Sequence, residues 1–147
     1  MKLTWALIIT CLLLIGCSSQ APSCDDTDVT DLVEQIAIDT LIKLGTSFSV
    51  SQLQMYELMC GHSDDSPGCQ AKDKEANQLR KDIDDTTKEI KSSATISVTN
   101  IRDIKKDDAI KKSECAASIQ LNDSNGDITY TAQFNKDGEL YVLVFGL

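Results

Sequence analysis

The stretch Cys115-Ala116-Ala117-Ser118-Ile119-Gln120-Leu121-Asn122-Asp123-Ser124-Asn125-Gly126-Asp127-Ile128-Thr129-Tyr130-Thr131-Ala132-Gln133-Phe134 decides the fold. Cys115, Ala117, Ile119 and Leu121 alternate with Ala116, Ser118, Gln120 and Asn122, and Ile128, Tyr130, Ala132 and Phe134 alternate with Thr129, Thr131, Gln133 and Asn135. Period two places each apolar set on one face of a strand. Asn125-Gly126 between the runs predicts a hairpin turn, and Asp137-Gly138 predicts another that leads into the last strand. That strand, Leu140 to Leu147, is apolar on both faces, with Leu140, Val142 and Val144 on one and Tyr141, Leu143, Phe145 and Leu147 on the other. One face belongs to the core, and the other must be covered by a helix or by another molecule. Tyr141, Leu143 and Phe145 are therefore the expected partner or ligand face.

Upstream, Ala94, Ile96 and Val98 alternate with Thr95, Ser97 and Thr99, and the phase slips near Asn100, which predicts a bulge. Lys105 to Lys112 reads as a charged connection. Before the strands come helices. Val29, Leu32, Val33, Ile36, Ala37, Leu41 and Leu44 recur at three- and four-residue steps from Thr27, and Gly45 is placed to end that helix. A second helix is expected from Val50 to Cys60, opened by Ser49 and Gln52 in a capping-box spacing and closed by Gly61. A third, from about Gln70 to Lys91, carries a thin stripe of Ala76, Leu79, Ile83 and Ile90 among charges and belongs on the surface.

Two to three helices followed by a four-stranded antiparallel meander make an α+β fold over residues 27–147, in one domain. The order resembles the helix-on-curved-sheet rolls of the cystatin and nuclear-transport-factor families. That likeness is one of topology, with no sequence motif behind it.

The 147 residues carry 14 Lys plus Arg against 23 Asp plus Glu, a formal charge of −9. Such acidity argues against nucleic acid as a partner. A single His and only seven aromatics argue against a His-based metal cluster or an aromatic-lined cofactor pocket, so neither a cofactor nor a metal is expected.

The N-terminus reads as an address. Lys2 precedes an apolar run from Leu3 to Ile15, broken only by Thr4 and Thr10, that is too short for a ~20-residue bilayer span. Leu14-Ile15-Gly16-Cys17 then resembles the lipobox of bacterial lipoproteins. The resemblance implies that residues 1–16 are a signal peptide cleaved before Cys17. It also implies acyl chains on Cys17 that hold the chain to a lipid bilayer. With Ser18 and Ser19 following and no Asp in the retention position, it implies the outer membrane rather than the inner. Two or three acyl chains anchor stably where one binds reversibly.

Residues 17–26 are small and polar and read as a tether, which a bridge at Cys24 would shorten. The mature chain keeps 13 cations against 23 acids, a charge of −10, and loses Trp5, the only Trp. It also loses Cys11.

Four cysteines remain for pairing, Cys24, Cys60, Cys69 and Cys115, and an exported chain favours two disulfides. Cys60 with Cys69 is favoured because Gly61 to Gly68 between them is rich in turn residues. Cys24 with Cys115 then ties the start of the domain to a late strand. A zinc site lacks the short spacing it needs.

Chemistry is thin elsewhere. Asp123 to Asp127 has alternating oxygen ligands, but Ile128 and Phe134 stand where an EF-hand needs Gly and an acid, so a hairpin is expected instead. His62 stands alone beside Asp64 and Asp65, and the acid pairs Asp84-Asp85 and Asp107-Asp108 are flanked by Lys. No nucleophile or phosphate-binding motif occurs. The expected function is a non-enzymatic protein-binding lipoprotein whose partner is an envelope or incoming protein, a basic one being the complement of its charge. The alternatives are an immunity, exclusion or hydrolase-inhibitor protein, an assembly factor, or a small-ligand carrier lined by Tyr130, Phe134 and Phe145.

Overall fold

The computed structural model describes residues 20–60 and 67–147, with the side chains of 67, 68 and 70–72 also left undescribed. The chain runs α1 (Thr27–Cys60), α2 (Pro67–Ser93), β1 (Ile96–Asp107), β2 (Lys112–Leu121), β3 (Ser124–Phe134) and β4 (Leu140–Phe145). Two helices precede a four-stranded antiparallel sheet of order β1-β2-β3-β4, an α+β fold. The signal segment, Cys17, Ser18 and Ser19, and His62 lie outside the described residues.

Asp26 starts α1. Its carbonyl accepts the N–H groups of Val29 and Thr30 at 3.0 and 2.9 Å, and its carboxylate accepts the Ser23 N–H at 2.8 Å. The helix does not stop at Gly45, so the expected break between Leu44 and Val50 is absent and α1 continues for 34 residues. Gly45 serves packing. A Cβ built there would stand 3.0 Å from Ile90 Cδ1 and 3.5 Å from Thr86 Cγ2 of α2, so the missing side chain lets the helices approach. α2 begins at Pro67, earlier than expected, with proline in the first helical position that it favours.

The β2–β3 hairpin is present, but its turn is Asn122-Asp123. Leu121 pairs with Ser124, and Asn125-Gly126 lie inside β3. A turn at Asn125-Gly126 would slide β3 along β2, setting Tyr130 opposite Leu121 and Asp123 opposite Ile128. The observed register sets Tyr130 against Cys115 and Ile128 against Ala117, large against small on the buried face. Asn122 supplies the left-handed residue, φ 49°, and clasps Thr95 by donating its N–H to the Thr95 carbonyl and accepting the Thr95 N–H on Oδ1, each at 2.9 Å.

The bulge expected near Asn100 is there, with Asn100 at φ 52°, and a second one lies between Asp103 and Lys105. Lys105 to Asp107 belong to β1 rather than to a connection, because Asp107 pairs with Lys112.

The core lies between the first turns of α1 and one face of the sheet. Val29, Val33 and Ala37 meet Cys115, Ala117, Ile119, Ile128, Tyr130 and Ala132. Glu34 accepts the Val98 N–H at 3.3 Å near the start of β1, so the helix passes the end of the sheet soon afterwards. Beyond that point α1 packs on α2, and the two form a helical hairpin closed by Cys60–Cys69. At 1.5 Å per residue this hairpin extends on the order of 30 Å past the sheet.

Cys24 is bridged to Cys115, as the pairing argument expected. The bridge draws the expected tether into the fold. Ala21 and Pro22 are buried, the Ala21 N–H donates to Asp108 Oδ1 at 2.8 Å, and the buried Ser113 hydroxyl donates to the Pro22 carbonyl at 2.5 Å. Residues 21–26 are therefore part of the domain.

Candidate functional site

Because β4 pairs only with β3, it closes one side of the sheet, and its alternation sends Leu140, Val142 and Val144 toward the core. Tyr141, Leu143 and Phe145 point the other way and stay 59, 62 and 56% exposed. Among the described residues no helix covers them. They stand beside Gln133, Thr131 and Thr129 of β3, a row of polar side chains that leaves the apolar strip alone at the sheet margin. Scattered exposed hydrophobics mean little, but three in one row form a contiguous patch.

The two margins of the sheet differ. β1 carries Lys105 and Lys106, two bulges, and Glu34 on the Val98 amide, all devices that discourage strand addition. β4, Leu140-Tyr141-Val142-Leu143-Val144-Phe145, has no charge, no proline and a regular register with β3. It is the margin at which a partner strand or apolar surface meets least resistance.

A second exposed apolar row was not legible as such in the sequence. Leu44, Phe48, Met55 and Leu58 share one flank of α1 at 60 to 87% exposure, with Met55 at the edge of a groove it lines with Ala76 and Leu79 of α2. Leu44 and its neighbours read as helix core because their spacing is that of a buried stripe, and only the position of α2 shows which stripe is buried. One signal was available: Glu57 is the only charged residue from Leu44 to Cys60 in a chain that is 25% charged.

Tyr130, Phe134 and Phe145 do not line a common pocket. Tyr130 is buried in the core, Phe145 lies on the opposite face of the sheet, and Phe134 borders an open cleft with Pro22, Asp26, Asp28, Leu32 and Leu140. The Tyr130 hydroxyl donates to the Cys24 carbonyl at 2.6 Å, and burial pushes its phenol up to about 12, with the nearby Asp103 and Asp25 charges adding to the effect.

Sulfurs of Cys24 and Cys115 stand with Asp103 in a metal-sized cluster, but the two sulfurs are bonded to each other and offer no thiolate. Asp123 to Asp127 are exposed hairpin residues, and Asp127 accepts the Ser118 hydroxyl at 3.2 Å. Asp84 and Asp85 are exposed on α2, and Asp84 pairs with Lys88, whose ammonium is held above its ordinary value by that contact. Tyr56 donates to Asp73 across the helical hairpin, and that bond raises its phenol. Among the described residues no helix is long and apolar enough to cross a membrane. No family model matches the chain, and no curated protein or solved structure matches it.

Proposed function

We propose that this chain is a lipid-anchored envelope lipoprotein, favouring the outer membrane, that binds another protein without catalysing a reaction. The exposed row Tyr141, Leu143 and Phe145 on an undefended edge strand carries the reading. Two disulfides fit an exported domain, and the lipobox resemblance of Leu14 to Cys17 supplies the anchor. The helix-on-sheet half is read as a roll of the cystatin or nuclear-transport-factor type, with its concave side filled by α1 and its convex side free for contact. A charge of −10 on the mature chain favours a basic partner through association rate and specificity.

The test is in-cell crosslinking of the lipidated full chain, followed by solubilisation and identification of captured proteins. Leu143→Asp, at an exposed position, leaves the fold intact and cuts capture by about tenfold or more. Equal capture by the parent and by Leu143→Asp removes this face from the function. A Cys17→Ser chain that captures the same protein at the same yield removes the anchor.

A further inference from the structure

We propose that the tip of the β1–β2 hairpin is a membrane-docking surface that rests on anionic lipid headgroups and sets the orientation of the domain. The proposal builds on the reading of Cys17 as the lipid anchor. Where the described chain ends is the first observation. Ala21 is held against the tip, its N–H on Asp108 Oδ1 at 2.8 Å, and Pro22 is held by Ser113 at the start of β2. Four Cα steps of 3.8 Å separate Cys17 from Ala21, so the acylated residue lies no more than about 15 Å from the tip. A reach that short keeps the β1–β2 end of the sheet close to the anchor.

The chemistry of the tip is the second observation. Ile104 and Ile110 are 59 and 54% exposed there. Lys105, Lys106 and Lys111 have no ion-pair partner among the described residues, while Lys112 holds Glu114 at 3.3 Å. The two acids of the segment are engaged with backbone, Asp107 with the Ala109 N–H at 3.1 Å and Asp108 with Ala21. With the Lys112–Glu114 pair set aside, residues 104–111 carry three lysines against two aspartates, a net +1 in a chain of −9. Lysines that merely guard the β1 edge would account for Lys105 and Lys106, but not for Lys111 or for two isoleucines left in water.

Other acids at this end of the sheet are engaged or lie to one side: Glu114 is held by Lys112, and Asp103 stands beside the Cys24–Cys115 bridge. Asp26, Asp28 and Asp31 line the cleft beside Gly138 and Leu140, at the β3–β4 side. An anionic surface repels that side and attracts the Lys-bearing one, so the domain tilts onto β1–β2. Exposed isoleucines then enter the headgroup boundary, and the helical hairpin, which leaves the opposite end of the sheet, points away from the bilayer.

Loss of Trp5 with the signal segment makes an introduced Trp a unique reporter. Ile110→Trp and Leu58→Trp are made in the lipidated full chain, confirmed as acylated by intact mass, and reconstituted into phosphatidylethanolamine–phosphatidylglycerol vesicles carrying brominated acyl chains. The Ile110→Trp emission is expected to shift blue and be quenched, and the Leu58→Trp emission to remain that of a solvated indole. Lys105→Gln with Lys106→Gln, or phosphatidylcholine in place of phosphatidylglycerol, lowers the docked population by about an order of magnitude or more, and added salt does the same. Acylated protein with Ile110→Trp unquenched, or with Leu58→Trp quenched as strongly, overturns the docking surface and leaves the anchor standing. Absence of acyl chains on Cys17 overturns both.

Discussion

Tyr130 joins three parts of the molecule through one side chain. Its ring fills the core opposite Cys115, and its hydroxyl satisfies the Cys24 carbonyl, just where the entering chain is bridged to β2. Tyr130→Phe leaves that buried carbonyl unpaired and is expected to cost about 1–2 kcal/mol in denaturant unfolding at pH 7. The phenol also makes stability depend on pH. An unfolded tyrosine ionises near pH 10 and the folded one at about 12, so in that window the folded chain keeps a proton that the unfolded chain has lost. The contribution, roughly 2–3 kcal/mol, is present in full below pH 10 and is lost as the pH rises through 12. Urea unfolding of the parent and of Tyr130→Phe at pH 8, 10 and 11.5 checks this. The gap between the two proteins narrows on the alkaline side, and a gap constant with pH contradicts the account.

At the scale of elements, Gly45 shows how a helix can carry a residue that reads as its end. Helix interiors disfavour Gly by about 1 kcal/mol relative to Ala, so the residue is retained for the close passage of Ile90 and Thr86. Gly45→Ala recovers propensity while pushing only the flexible end of Ile90, and its thermal midpoint is expected to stay close to that of the parent. Gly45→Leu has to force α1 and α2 apart and is expected to cost about 1–3 kcal/mol, measured by denaturant unfolding.

The strand alternation from Ile96 to Phe145, the bulge at Asn100 and the outward row on β4 were legible because a period of two depends only on neighbours. Turn choice and helix count were not. Asn122 won over Asn125-Gly126 through its two bonds to Thr95 and the Cys115–Tyr130 pairing, both fixed by residues far away in the chain. The Leu44–Leu58 row and the Lys105–Lys111 tip depend equally on where α2 and Ala21 come to rest. No local pattern carries that information.

For the molecule as a whole, the sheet with the first turns of α1 contains nearly all of the buried apolar side chains, while the helical hairpin beyond it buries only Thr46 and Ala76 among its described residues. The Cys24–Cys115 bridge, 91 residues apart in sequence, braces the first part, and Cys60–Cys69, 9 apart, braces the second. The two parts share α1 but little else, because α2 packs chiefly on α1. Opening of the hairpin should therefore need less free energy than global unfolding. Native-state hydrogen exchange is expected to give the highest protection in β2, β3 and residues 29–37. It should give lower protection in 44–58 and in the first turns of α2. Replacing Cys60 and Cys69 together by Ser removes a short loop constraint worth about 2–3 kcal/mol in the opened state. Protection in the helical hairpin should fall by about that amount, while the amides of β2 and β3 keep their rates. An equal fall across the sheet would show the molecule to be a single cooperative unit. Exchange confined to the hairpin would show that the apolar row from Leu44 to Leu58 sits on the part of the fold free to adjust to what it meets.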